Sequence, residues 1–466
     1  MNRGICFTVL LVFLVNLNAV GQGKNLNNQK IDGYRGIWFE LGQPYEYGDK
    51  YSGGLGTYTA KHRPLAMYAS EVDKTFFVFG GTPSQEQKYL LCMIGEYDHA
   101  SGMVSKPTVV YDKKGVDDPH DNPSLLIDEK GYLWVFISGR STRRMGFKYR
   151  SDKPYDINSF SKVTEEEMTY PQPWLTDKGE MLHLFTKYTG VRELYYESST
   201  DGKSWTEDRK LAGIREKGHD KGGHYQVSAR KGNLVATFMN RHPKGNVDRR
   251  TDLYYLQTNN LGKSWTSVDG RAMTVPLTKV ESQGRVIDYY GQKKNVYLKD
   301  MCFDESGYPV CLYVASGGHE PGPVNSPREF RITRWDGLAW QTRVVCETDH
   351  NYDMGSIEIG KNEWTVIVPS QDGPQHYGTG GEVALWKSID KGKNWKMVKQ
   401  LTVNSPRNHS YMRRSEDAKD PFRFFWADGD PEKMSISKMY FSNSKGEVWQ
   451  LPYDMKKSKE VPVKVD

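Results

Sequence analysis

An imidazole and a guanidinium that share one rim of a protein can move a proton beside a negative charge, and this chain offers such a pair in His120 and Arg140. His120 lies in the loop Asp117-Asp118-Pro119-His120-Asp121-Asn122-Pro123, and Arg140 closes Ser138-Gly139-Arg140. Between them Ser124 to Ile127 runs out, Asp128 to Gly131 turns, and Leu133 to Ile137 returns with the β-branched and aromatic bias of strands. A hairpin brings the chain back to its start, so both groups are expected at the same end of neighbouring strands.

The same pattern recurs along the chain. A polar residue opens each copy, at His62, His120, Tyr170, His224, Lys299/Asp300, His350 to Asp353, and His409. The matching return strands are Phe76 to Phe79, Leu133 to Ile137, Leu182 to Phe185, Leu234 to Phe238, Val310 to Val314, Trp364 to Val368 and Phe422 to Trp426. A unit of roughly 50 to 75 residues, long enough for a four-stranded sheet, predicts an all-β fold: a seven-bladed β-propeller forming a single domain. Ser388 to Trp395 also fits an Asp-box turn, in which a carboxylate caps a tight hairpin. Looser copies stand at Thr258 to Trp265, with Asn260 in the acidic position, and at Ser198 to Trp205, with Thr200 there. These turns belong on outer hairpins, so their carboxylates are read as structural.

In a propeller the openers and the ends of the return strands face one funnel. The expected lining is His62; His120 with Arg140; Tyr170 with Lys187, Tyr188 and Arg192; His224 with Asn240, Arg241 and His242; Lys299 with His319; and His350, Tyr352 and Gln371. Any single one could be a histidine or tyrosine satisfied within the fold. Together they suit proton abstraction next to a carboxylate. Removing H5 from a 4-linked uronic acid needs a base near C5, an acid near O4, and a cation on the carboxylate. Hydrolysis of a glycosidic bond ordinarily needs two carboxylates at a set separation. The acids near these openers, Asp118, Asp121, Asp300 and Asp353, are scattered among different units.

Composition bounds the alternatives. With 45 glycines, 22 prolines, 29 tyrosines and 12 tryptophans among 466 residues, the chain is rich in turns and aromatics and shows no sustained helical periodicity. The net charge of +6 comes from 64 basic against 58 acidic residues. That mild excess, without a basic block or a binding motif, suits an acidic glycan better than a nucleic acid; the other reading is a solvated surface of mixed charge with no partner. Arg3, the apolar run Ile5 to Val15 and Ala19-Val20-Gly21 predict a signal peptide over 1–21, leaving 22–466 as an exported catalytic domain, periplasmic or extracellular. No later stretch could span a membrane, and a monomer is expected. Folding a hairpin about Glu305 to Tyr308 would set Cys302 opposite Cys311, for a disulfide or for a structural zinc with Cys346; the other reading is buried small hydrophobes. No spacing of His or carboxylates suggests a catalytic metal, and no cofactor is required.

The segments Lys50 to Tyr58 with Lys61-His62-Arg63-Pro64, Phe76 to Gly81, Asp118 to Pro123 and Thr169 to Pro173 resemble the BNR-type seven-bladed propellers of secreted polysaccharide-degrading enzymes. That group includes ulvan lyases and enzymes acting on the L-rhamnosyl-α-1,4-D-glucuronic acid ends of arabinogalactan-type glycans, described as lyases or as α-L-rhamnosidases. The resemblance implies that His120, Tyr170 and Arg192 match the lyases' catalytic His, catalytic Tyr and carboxylate-neutralising Arg. Arg140 stands where ulvan lyases carry a second His, and Gln43 where hydrolytic members carry theirs. The expectation is therefore cleavage of the rhamnose–glucuronate linkage of an acidic plant-type polysaccharide by β-elimination, with His62, Arg140, His224 and Arg241 binding substrate. Hydrolysis of the same bond by an exo-α-L-rhamnosidase, or glycan binding without catalysis, are the alternatives.

Overall fold

A computed structural model describes residues 25–54 and 56–465. The signal peptide expected over 1–21 lies outside the described residues. Among them, the regular elements are strands, apart from 3-10 turns at Pro119–Asp121, Pro243–Gly245 and Pro323–Asn325. None of the helices is long and apolar enough to cross a membrane.

The strands assemble locally, each antiparallel sheet being built from consecutive segments. Lys74–Gly81 follows Ala66–Ala69 and pairs on with Leu91–Asp98; next come Pro123–Ile127, Leu133–Ile137, Gly146–Ser151 and Phe160–Glu166. Thr169–Leu175, Met181–Tyr188, Arg192–Ser199 and Arg209–Arg215 form a further sheet, followed by one on Gln226–Lys231, Leu234–Arg241 and Thr251–Thr258. Asn295–Phe303 to Trp340–Thr348, then Ser356–Ile359 to Lys396–Gln400, repeat the four-strand order. Each expected return strand is the second strand of its sheet. The last sheet starts with Asn408–Glu416, which runs parallel to Ala66–Ala69 with Ser415 opposite Ala66. Since the first strand of every sheet also lies against the first strand of the next, this pairing closes an all-β, propeller-like ring.

Aromatic residues fill the space between sheets. Phe422 stacks on Phe77 at 4.9 Å and on Phe441 at 4.6 Å, joining the last sheet to the first. Trp38, in Gly36–Glu40, is buried against Gly429, where any Cβ would lie 2.1 Å from the indole, and its Nε1 donates to Ser52 Oγ at 3.0 Å. Alternating strands of this kind bury one face against each neighbour, which is why the pattern reads so plainly in sequence.

Two expectations need correction. The Asp-box turns lie on outer hairpins, with Asp390 Oδ1 accepting from the backbone of Lys393 and Asn394 at 3.1 and 2.9 Å. In the copy at 198–205, however, the capping group is Asp201 rather than Thr200: it accepts from Lys203 N and Ser204 N at 2.8 and 2.7 Å, while Ser199 takes the Gly202 N–H. That turn is one residue shorter than its relatives, which moves the acid by one place. Cys302 faces Val310, and Cys311 faces Met301, because the connecting turn centres on Ser306. Neighbouring positions on a strand point to opposite faces. The two thiols thus enter different core clusters, all four described cysteines are free and buried, and the disulfide or zinc pairing fails. Burial pushes the Cys302 thiol up to about 12, as expected of an inert buried hydrophobe.

Candidate active site

The loop that carries His120 is locally determined. Asp118 caps the 3-10 turn Pro119–Asp121, its Oδ1 accepting the His120 N–H at 3.0 Å, and Pro119 needs no N–H partner at this position. The same Oδ1 lies 2.6 Å from His120 Nδ1. Asp118 Oδ2 is shared by Arg140 at 3.0 Å and Arg144 at 2.6 Å, and Arg144 also reaches Asp121. Burial alone would raise the Asp118 carboxyl, but His120 and Arg140 hold it well below the carboxylate range. Burial also lowers the His120 imidazole; Asp118 opposes this, while Arg140 and Arg192 reinforce it. A neutral imidazole with its Nδ1–H held by a carboxylate turns the Nε2 lone pair outward. At 3.0 Å from that nitrogen stands the Tyr58 hydroxyl.

Three first strands carry a register irregularity at the positions that face this corner. The breaks fall between Thr169 and Gln172, between Leu298 and Asp300, and between Ser410 and Arg413. They turn Tyr170, Lys299 and Tyr411 into one cavity, as bulges commonly re-aim side chains. Tyr170 and Tyr411 also sit at φ of 56° and 58°, a conformation costing a non-glycine residue on the order of 1 kcal/mol or more. Asn122 ties the opposing loops together by donating to Tyr58 O at 2.6 Å and Gly56 O at 3.3 Å. Gly80 must be glycine beside it, since a Cβ there would meet Asn122 Oδ1 at 2.2 Å.

The resulting cavity, of about 250 Å³, is lined by His120, Arg140, Tyr170 and Arg192, and also by Tyr51, Tyr58, Lys61, Tyr225, Arg250, Tyr297, Lys299 and Tyr352. Its wall is cationic. The one lining acid among the described residues, Asp248, pairs with Lys50. Arg192 lies over Tyr188 at 5.0 Å and Tyr225 at 5.7 Å, and its Nε donates to Tyr188 OH at 3.2 Å. Arg250 lies over Tyr225, Tyr297 and Tyr352 at 4.8, 4.5 and 5.0 Å. Tyr225 thus stands between two guanidinium groups. Burial would raise its phenol, yet Arg192 and Arg250 pull it below the ordinary value; burial holds neighbouring Tyr170 well above. Among the described residues no carboxylate lies within ion-pair distance of Arg192, Arg250, Lys61 or Lys299. Such a site has the means to attract an anion and to exchange a proton next to it.

His120, Tyr170, Arg192 and Arg140 therefore meet, whereas His62, His224 and Arg241 do not line the cavity. His62 is fully buried behind it, with Nε2 3.1 Å from His120 O and Nδ1 3.3 Å from Thr59 Oγ1, and so buttresses the His120 loop. His224 uses both nitrogens within the fold, against Asn240 O at 2.9 Å and Ile214 N at 2.9 Å. Arg241 is taken up by Asp252 and Glu216 at 2.6 and 3.0 Å. Arg250 and Tyr225 line the cavity although the pattern of openers and return-strand ends does not mark them. Arg250 directly precedes Thr251–Thr258, the third strand of its sheet, just as Arg192 opens the third strand of the preceding one, so a basic residue at a third-strand start was the available signal.

Known proteins agree with this architecture. A solved ulvan lyase of polysaccharide lyase family PL25 aligns over 94% of this chain and 98% of its own, with a TM-score of 0.69 at 16% identity. The same enzyme type has been solved bound to -[GlcA(1-4)Rha3S]-. Curated ulvan lyases from Alteromonas sp. (strain LOR) and Nonlabens ulvanivorans are 22% and 20% identical over 54% and 62% of this chain. The matches span 57% and 66% of those relatives' own lengths. The model of the BNR repeat-containing family matches residues 89–348, more than half of the chain, and the chain belongs to that family.

Proposed function

We propose that this protein is an exported polysaccharide lyase whose ring of sheets is a seven-bladed propeller, single-domain and monomeric, and that it cleaves an acidic glycan at a 4-linked uronate by β-elimination. The observation that carries the reading is the cationic cavity that holds a neutral His120, aligned by Asp118, together with Tyr170 and Arg192. The similarity to ulvan lyases over much of the chain supports it. In the proposed step a base removes the proton on C5, the C–H electrons form the C4=C5 double bond, the C4–O4 bond breaks, and O4 takes up a proton. His120 and Tyr170 share the base and acid roles; Arg192 and Arg140 hold the carboxylate, so that charge spreading onto it meets fixed cations. The substrate we favour carries L-rhamnose α-1,4-linked to D-glucuronic acid, as at the ends of arabinogalactan-type glycans. Hydrolysis by paired carboxylates is less well served, since among the described residues the one acid on the wall is tied to Lys50.

Digestion of gum arabic, followed by the ultraviolet absorbance of the conjugated double bond and by release of rhamnose, tests the reading. Both signals should rise together. Rhamnose without the absorbance means hydrolysis, and neither signal would leave a glycan-binding propeller.

A further inference from the structure

Both ring nitrogens of His120 are engaged within the fold. Nδ1 lies 2.6 Å from Asp118 Oδ1, and Nε2 lies 3.0 Å from the Tyr58 hydroxyl. A neutral imidazole whose Nδ1 carries the proton has one in-plane lone pair, on Nε2, and the Tyr58 O–H fills it. The phenol is the donor in that bond. Burial, reinforced by Tyr411, Tyr51, Tyr170 and Tyr352, holds its pKa well above the ordinary value, so it keeps its proton. Those four tyrosines line the cavity, as Tyr58 and His120 do themselves. The Tyr58 ring is also held firmly: a Cβ on Gly53 would lie 2.4 Å from its Cδ2, Tyr411 stands edge-on to it at 4.9 Å, and Asn122 donates to its carbonyl at 2.6 Å. A base whose lone pair is covered by a neighbouring hydroxyl reaches a substrate through that hydroxyl, whose own oxygen lone pairs remain free to accept.

We propose that Tyr58 is a further catalytic residue, the group that stands between His120 and the sugar and carries the proton from C5 to the imidazole. The assignment rests on the elimination proposed for this cavity and fixes who does what in it. The C5–H bond breaks and its proton bonds to the Tyr58 oxygen, while the phenolic proton passes to His120 Nε2. The C–H electrons form the C4=C5 double bond, the C4–O4 bond breaks, and O4 takes the proton of Tyr170, a phenol that burial likewise keeps protonated. Asp118 then faces an imidazolium, and Arg192 and Arg140 face the Tyr170 phenolate. Passage of the imidazolium proton to that phenolate restores both groups. Asp118, His120 and Tyr58 thus form a line in which a carboxylate orients an imidazole and the imidazole activates a hydroxyl.

Steady-state kinetics on gum arabic, read by the absorbance of the new double bond, tests the relay. Tyr58→Phe keeps the ring and its packing, and should lower kcat by roughly 100-fold or more with KM nearly unchanged. Difluorotyrosine at position 58, a phenol of nearly the same shape and lower pKa, should retain turnover but bring the alkaline fall of kcat/KM toward neutrality. A ring that only packs would leave that limb where wild type has it. Turnover in Tyr58→Phe within about threefold of wild type, or an unmoved alkaline limb in the fluorinated protein, overturns the relay and leaves the lyase standing. Absence of elimination by wild type overturns both. If Tyr58→Phe does not fold, the fluorinated protein decides.

Discussion

His120 can accept a proton only while its imidazole is neutral, and burial, modulated by three surrounding charges, decides when that is. Burial, Arg140 and Arg192 lower its pKa from the ordinary 6.5, with Asp118 opposing. The imidazole therefore stays neutral at neutral pH and becomes protonated only on the acid side. We expect kcat/KM on a uronate substrate to be flat through neutrality and to begin its fall, by about one decade per unit, only at a pH below the ordinary imidazole value of 6.5. A fall that begins above that value would place the essential base elsewhere. Asp118→Asn keeps a side chain of the same shape but offers Nδ1 and the Arg140 and Arg144 guanidiniums no anion, and should lower kcat roughly 10- to 100-fold while also lowering the melting temperature. His120→Ala should lose elimination altogether while the fold persists, as read by circular dichroism. Sequence alone made His120, Tyr170, Arg140 and Arg192 visible, because polar residues at strand ends stand out. It made His224 and Arg241 look equivalent, and nothing in residue type reveals that Asn240 O and Asp252 already occupy them.

At the level of elements, the return strands were legible because alternating burial and aromatic content reach the sequence directly. Register parity was not, since one residue more or less in a turn leaves composition untouched while flipping a side chain to the other face; Cys302 and Asp201 both show this. Nor were the breaks at Tyr170, Lys299 and Tyr411, which depend on how neighbouring strands meet. The joint that matters most for the site is Asn122, which holds the Gly56 to Tyr58 segment against the His120 loop. Asn122→Ala leaves buried carbonyls unpaired and should cost about 1–3 kcal/mol in urea unfolding. It should also lower turnover, because Tyr58 and His120 lose their common anchor. Destabilisation with unchanged turnover would show that the two loops are positioned independently.

At the scale of the molecule, the ring holds together at a seam where early and late segments meet. Gly36–Glu40 is sandwiched between Ser435–Ser437 and Ser52–Gly54, and Trp38 fills the hollow left by Gly429. Trp38→Ala should therefore cost about 3–5 kcal/mol, measured by chemical denaturation, even though the residue touches no reacting group. A loss below about 1 kcal/mol would mean that the seam is carried by the parallel pairing of Ser415 with Ala66 instead. The Tyr225 ring, set between Arg192 and Arg250, gives the protein an indicator dye of its own. Each guanidinium favours the phenolate, which absorbs more strongly in the near ultraviolet, and any anion that arrives to neutralise one of them favours return of the proton. Ultraviolet difference spectra in mildly alkaline solution should thus bleach as the cavity fills, so that occupancy can be counted optically, with no label and no turnover.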